Sequence, residues 1–297
     1  MGSIDLQKIN TEAQNGLTHH LETKTTPEIL TLINNEDQKI AKAIAKEIPT
    51  ITKATDLCYE TLKNQGRIFY IGAGSSGRIG VLDASEMLPT YGVKDAFCGI
   101  IAGGDLALRL PIEGAEDDFE QAKVDLKAHN FQPNDLVFAI GASGRTPYCL
   151  GALDYGHQIG AKTISLAMTS EPEFKAVSDL SIAIISGPEV VTGSTRMKAG
   201  TATKMVLNMI STTTMIKMGK VYDNLMVEVQ ATNKKLEERC FQIVKKITQA
   251  TDEIVMTALQ DSQMNAKVAC LMILGNHSAE KAQELLIINP LLGDYLN

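Results

Sequence analysis

Tryptophan is absent from the 297-residue chain, and aromatic residues make up only 5% of it. That scarcity argues against a stacking platform for single-stranded nucleic acid and against an aromatic-lined carbohydrate cleft. Basic residues are in the minority: 28 Lys and Arg stand against 35 Asp and Glu, a net charge of −7. A general polyanion-binding surface is thereby disfavoured, and no nucleic-acid partner is expected. A local anion pocket is still allowed, because a few backbone amides and hydroxyls can hold a phosphate within an acidic protein. The five cysteines (Cys58, Cys98, Cys149, Cys240, Cys270) are scattered with no CxxC pair, and the five histidines form no HExxH. Neither a zinc site nor a disulfide framework is expected; the expectation is buried free thiols in a reducing compartment. No apolar run approaches the ~18 residues of a membrane span. Met1 to Leu6 lack the apolar core of a signal peptide, and Leu6 stands where a myristoylation signal requires Ser or Thr. The expected location is cytoplasmic, with no membrane partner.

What is present fits a packed protein: 44% hydrophobic residues, 21% charged, and 23 glycines against 9 prolines. The length allows two domains or one α/β domain with helical extensions. Thr26-Pro27-Glu28 opens a helical pattern, with Thr26 as candidate N-cap, that runs to Pro49; a second helix is expected over about 51–64. From Gly66 the character changes. Arg67 to Ile71 is a short β-rich run ending in the glycine turn Gly72-Ala73-Gly74. Similar runs follow at 96–101, 136–140, 163–167 and 180–185, near-continuously apolar, as expected of strands buried on both faces of a parallel sheet. Helical stretches separate most of them, at about 76–88, 116–129, 146–160 and 172–178. This alternation predicts a doubly wound α/β domain. After Gly187 helices are expected at 197–218, 234–258 and 278–287. The methionines of 197–226 read as helix core or dimer surface.

In open α/β sheets ligands bind at the carboxyl ends of the strands. Two such loops are rich in hydroxyls and glycine. In the first, Gly72-Ala73-Gly74-Ser75-Ser76-Gly77-Arg78, glycines allow close backbone approach, serines donate hydrogen bonds, and the following helix directs its positive end at an anion. Gly72, Gly74 and Gly77 also fit a GxGxxG dinucleotide turn, but no acid ends the next strand, as that fingerprint needs. A P-loop is ruled out because no GK[ST] follows. In the second loop, Gly141-Ala142-Ser143-Gly144-Arg145-Thr146-Pro147, Arg145 can neutralise a phosphate while Ser143 and Thr146 donate to it. Either loop alone reads as an ordinary strand–helix turn. Together they favour a small phosphorylated ligand.

The stretch from Gly72 to Glu86 (GAGSSGRIGVLDASE) resembles the signature of the N-acetylmuramic acid 6-phosphate etherases. So do Ile101-Ala102-Gly103-Gly104, Glu113-Gly114-Ala115-Glu116-Asp117, Ser143 to Tyr148, Val190 to Thr201, and Ala231 to Leu236. The resemblance runs in order from about residue 9 to 285. It implies a sugar-isomerase (SIS) domain over about 54–220, an N-terminal helical segment over 1–53, a C-terminal helical region over 221–297, and a homodimer. The family's reaction cleaves the lactyl ether of N-acetylmuramic acid 6-phosphate, giving N-acetylglucosamine 6-phosphate and D-lactate in amino-sugar catabolism and peptidoglycan recycling.

That reaction asks for two acid/base groups. The ring-opened sugar carries an aldehyde at C1, which makes the C2 hydrogen acidic enough for a carboxylate base; loss of the C3 ether and addition of water follow. No metal or redox cofactor is needed. The resemblance assigns Glu86 as proton donor to departing lactate and Glu116 as the second acid/base, acting at C2. It places Ser75, Ser76, Gly77, Arg78, Ser143, Gly144, Arg145 and Thr146 around the substrate. Lys235 sits in a family block and is expected to reach the site, across the dimer or otherwise; Lys198 and Arg196 are similar cases. Read without the family, Glu86 is a solvated helix-face acid, Glu116 a first-turn acid favoured by the helix dipole, and Lys235 a solvated lysine. Glu113 is the nearest alternative to Glu116.

Met87-Leu88-Pro89 replaces the usual Cys-Pro-Pro after the glutamate, Gly141 stands where alanine is usual, and the last ten residues lack the family's glycine-rich close. Two other classes compete with the lyase: an SIS aldose–ketose isomerase, which shares the C2 proton transfer, and a non-catalytic sugar-phosphate sensor. The Asp-Ala-Ser-Glu and Glu-Gly-Ala-Glu-Asp blocks favour the lyase, and no basic helix-turn-helix supports the sensor.

Overall fold

The computed structural model describes residues 13–231 and 233–296. Thr11, Glu12 and Thr232, which belong to segments matched to the family, lie outside the described residues. The chain divides into two compact units, one of residues 1–85 and 95–211, the other of 86–94 and 212–297.

In the first unit, α1 (Thr26–Ala45) and α2 (Ile48–Lys63) precede the sheet. The cap of α1 is Thr25, one residue earlier than expected, and the Glu28 carboxylate accepts from both its backbone N–H (2.7 Å) and its hydroxyl (2.6 Å). Pro49 ends no helix; it sits in the first turn of α2, where its missing N–H leaves no bond unmade.

The strands β1 (Ile68–Gly72), β2 (Phe97–Ile101), β3 (Leu136–Gly141), β4 (Lys162–Ala167) and β5 (Leu180–Ala183) form one parallel sheet in the order β2-β1-β3-β4-β5. Every residue of β1 and β3 is buried, which is why their sequences are continuously apolar rather than alternating. The chain steps from β1 to β2 through α3 (Gly74–Ser85) and α4 (Met87–Tyr91), then returns past β1 to β3 through α5 (Phe119–Ala128). From β3 it continues in that direction, opposite to the β1-to-β2 step, to β4 through α6 (Pro147–Gln158). Right-handed crossovers in opposite directions put α3 and α6 on opposite faces, and the packing agrees. Phe69, Ile71, Val137 and Ala139 share a core with Ala122 and Leu126 of α5 and Tyr148 and Ala152 of α6. Gly80 of α3 lies over Tyr70 and Ile140 on the other face.

α7 (Lys198–Lys217) begins in the first unit, and its last residues belong to the second. The second unit continues with α8 (Lys234–Thr248), α9 (Asp252–Asp261), α10 (Ala266–Gly275) and α11 (Ala279–Ile288). Two differences from the sequence reading stand out here. The stretch 234–258 is two helices, because Gln249 adopts a left-handed conformation (φ 55°) that ends α8. α10 escapes the pattern because it is apolar nearly all round: Ala266 to Leu271 are buried, the one charge among them, Lys267, is paired with Glu228, and no exposed polar face marks a period. Four of the five cysteines are buried, and all five are free thiols. No helix among the described residues is long and apolar enough to cross a membrane.

Candidate active site

The sheet reverses its direction of growth between β1 and β3, and such a switch point opens a crevice at the carboxyl ends of the strands. Register places Gly72 of β1 opposite Ile101 of β2 and Ile140 of β3, so the three following loops start at one edge. The two hydroxyl-rich loops therefore flank the crevice, each leading into a helix N-terminus, where unpaired N–H groups and the helix dipole favour an anion. Gly74 (φ 53°) makes the first turn in the left-handed region. Gly77 lets α3 touch the sheet: a Cβ there would lie 2.6 Å from the Gly72 carbonyl oxygen and from Ile101 Cγ1. Ser75 and Ser76, in the first turn of α3, are partly exposed.

In the second loop, Gly144 takes φ 69° and lies so close to Pro172 that a Cβ would approach its Cβ to 2.3 Å. Its carbonyl accepts from Phe174 N–H at 3.0 Å, tying the loop to the 172–177 segment. Thr146 occupies the N-cap position of α6, yet its side chain makes no capping bond, and Ser143 is likewise partly exposed. Arg145 pairs with Glu173 at 3.4 Å, both partly exposed.

Beside the crevice, over the ends of β1 and β2, lies a cavity of about 240 Å³ whose lining includes Gly74, Arg78, Ile112, Glu113 and Glu116. Arg78 is held by its Nε, which donates to the Leu108 carbonyl at 3.2 Å. Glu116 sits in the short 3-10 turn Ala115–Asp117, entered through Gly114 in the left-handed region (φ 73°). Asp118 caps α5, accepting from Gln121 N–H at 3.0 Å, so this nearby acid has a structural task. Glu113 lines the same cavity as Glu116. The cavity thus joins one guanidinium to two carboxylates under a glycine turn. Such a set can neutralise an anion and exchange a proton with a bound sugar.

Glu86 is not one of the residues lining this cavity. It is exposed at the joint between α3 and α4, in the residue pair where the chain passes from the first unit to the second. Lys235 lies in the second unit, exposed in the first turn of α8, whose cap is Asn233. Lys198 differs from the solvated lysine of the sequence reading. It is 1% exposed, and its Nζ donates to Glu36 Oε2 of α1 at 2.6 Å. Arg196 is exposed. Sequence reasoning also missed Glu189, wholly buried, whose carboxylate accepts from the N–H groups of Lys198 and Ala199 at 2.9 Å and so caps α7. An acid nine residues before a helix carries no local signal of that task.

A parallel sheet in this order, with hydroxyl-rich loops at its carboxyl edge, is a doubly wound α/β fold, and the match of residues 50–157 to the family described as "Glucokinase regulatory protein N-terminal SIS domain" places it in the SIS class. The fold aligns with the solved structure of the c3406 protein of E. coli CFT073 at a TM-score of 0.50 and 18% identity, covering 68% of this chain and 97% of that one. Within the class the affiliation is narrower. The chain is 50% identical over 287 residues to the N-acetylmuramic acid 6-phosphate etherase of Clostridium botulinum (strain Hall), covering 96% of this chain and 95% of the relative. Identity is 49% to the protein of that name from Caldanaerobacter subterraneus subsp. tengcongensis, over 95% of this chain and 93% of the relative. For Mycoplasma mycoides subsp. mycoides SC it is 48%, over 96% and 95%. The chain belongs to the N-acetylmuramic acid 6-phosphate etherase family.

Proposed function

We propose that this chain is a carbon–oxygen lyase that cleaves the D-lactyl ether of N-acetylmuramic acid 6-phosphate, by elimination and then hydration. The observation that carries the reading is the cavity at the sheet's carboxyl edge, which sets Glu116 and Arg78 beside the glycine turn in a chain of this family. The phosphate is taken by Ser75, Ser76, Gly77, Ser143, Gly144, Arg145 and Thr146, whose loops flank the switch point. Arg78 balances negative charge nearer the reacting carbons.

In the open-chain sugar, Glu116 takes the C2 proton, and the electron pair moves toward the C1 carbonyl oxygen. The C3–O bond then breaks, with Glu86 donating a proton to the departing lactyl oxygen. This leaves D-lactate and a C2–C3 double bond conjugated with the aldehyde. Water adds at C3, losing its proton to Glu86, and C2 regains a proton from Glu116. The sum is addition of one water across the ether, with no change of oxidation state and no cofactor. In the same reading the enzyme is a cytoplasmic homodimer, with Lys235 near the substrate.

Incubation with N-acetylmuramic acid 6-phosphate in 18O-labelled water tests the reading. Lactate should be released and the label should appear on C3 of N-acetylglucosamine 6-phosphate. Lactate release with an unlabelled sugar would reject elimination–hydration. Conversion of a sugar phosphate to its ketose without lactate release would instead identify an SIS isomerase.

A further inference from the structure

The last turn of α3 carries a buried carboxylate that the reaction does not use. Asp83 is 4% exposed. Removal from water pushes its carboxyl above the usual carboxylate range, even though bonds from Asn208 and Ser211 pull the other way. Its Oδ1 accepts from Asn208 Nδ2 at 2.6 Å and from Ser211 Oγ at 3.2 Å, both on α7. The Tyr70 hydroxyl of β1 lies against the same carboxylate without full hydrogen-bond geometry, so neither Tyr70 Oη nor Asp83 Oδ2 has a complete partner. That burial also pushes the Tyr70 hydroxyl well above its ordinary range.

An incompletely satisfied buried acid is an expensive way to join two helices, because apolar side chains would pack there at lower free-energy cost. What the acid adds is direction. Apolar contacts let a helix turn or slide by fractions of an ångström, whereas two hydrogen bonds to one oxygen fix both its rotation and its height. The start of α3 is already fixed by the tight contact of Gly77 with β1 and β2. The end of α3 is Ser85, and the next residue, in right-handed helical conformation (φ −81°, ψ −7°), is Glu86. Glu86 therefore follows Asp83 by one helical turn on a continuous path.

We propose that Asp83 is a positioning residue for the etherase reaction: by tying the last turn of α3 to Asn208 and Ser211, it sets where the chain delivers Glu86. The inference rests on Glu86 being the acid of the proposed mechanism. A double-mutant cycle separates the two claims. Lactate release from N-acetylmuramic acid 6-phosphate is measured for the wild-type chain, Asp83→Ala, Asp83→Asn, Glu86→Gln and the Asp83→Ala/Glu86→Gln pair. Binding of N-acetylglucosamine 6-phosphate is measured by calorimetry on the same proteins.

Asp83→Ala should lower kcat ~10-fold or more while KM and product binding stay within ~2-fold, because misplacing a catalytic group acts on the chemical step. Asp83→Asn, which keeps an acceptor oxygen for Asn208 and Ser211, should retain most of the activity. The double variant should be no slower than Glu86→Gln alone, since Asp83 acts only through Glu86. Losses that multiply in the double variant, or an Asp83→Ala enzyme within ~2-fold of wild type, would overturn the positioning role while leaving Glu86 in place. Near-normal turnover by Glu86→Gln would instead remove the acid itself, and the present inference with it. Should Asp83→Ala fail to fold, Asn208→Ala removes the shorter of the two bonds and enters the same cycle.

Discussion

Arg145 enters the proposed phosphate site already paired with Glu173, at 3.4 Å and with both side chains partly exposed. Exposed pairs of this kind contribute only about 0–1 kcal/mol, so a phosphate can draw the guanidinium away at little cost. Arg145→Ala is expected to raise KM ~10-fold or more with kcat nearly unchanged, in line with the loss of one charge-assisted bond; steady-state kinetics of lactate release checks it. Lys198 and Glu36 are a different case, because both side chains are buried. Burial pushes the Glu36 carboxyl up, but bonds from Lys198 and Lys39 outweigh it and hold the group below its ordinary value of 4.5. A depressed carboxyl contributes stability above its unfolded-state value and loses it as the pH falls through the folded one. Glu36→Gln should therefore be destabilised by about 3 kcal/mol at pH 7, where Lys198 is left as an uncompensated charge. The gap to wild type should narrow as the pH falls below about 4.5, as urea unfolding at a series of pH values would show.

At the scale of elements, α3 does more than cross between two strands. Its first turn bears the glycines and serines of the crevice, its middle lies on the sheet, and its end leads to Glu86. Gly77 makes this possible, since a methyl group there would meet backbone at 2.6 Å and could not be relieved by a side-chain rotation. Gly77→Ala should thus shift α3 outward. The expected result is a loss of at least about 1–3 kcal/mol of stability, typical of overpacking, together with weaker binding of N-acetylglucosamine 6-phosphate. Thermal unfolding and calorimetry would measure both. The same element shows how legibility varied along the sequence. Its glycines and serines could be read because a glycine- and hydroxyl-rich turn from strand to helix has a local vocabulary. Asp83 could not, because its partners Asn208 and Ser211 lie more than a hundred residues away and only packing brings them together. Lys198 was obscure for the same reason, its partner Glu36 lying 162 residues away.

At the scale of the whole chain, the homodimer proposed with the activity would appear in light scattering as roughly twice the 32.1 kDa chain mass. A monomer that retains full turnover would remove the need for a second copy. Large apolar side chains remain exposed on the last helix of the second unit, Ile287 at 83% and Ile288 at 79%, so neither can be counted toward that unit's own core. The α/β core could be read from the sequence because strands buried on both faces are continuously apolar, and the loops between them are marked by glycine and hydroxyl residues. The nearly all-apolar α10 and the break at Gln249 between α8 and α9 could not, since burial on most sides erases a helical period and a left-handed glutamine has no compositional sign. Local chemistry therefore determined the strands, the glycine- and hydroxyl-rich turns and the family blocks. The strand order β2-β1-β3-β4-β5, the crevice it opens between β1 and β3, the cavity that unites Arg78 with Glu113 and Glu116, and the burial of Asp83 against α7 were decided only by tertiary packing. Each is a juxtaposition of segments far apart in the chain, and no local pattern of residues encodes it.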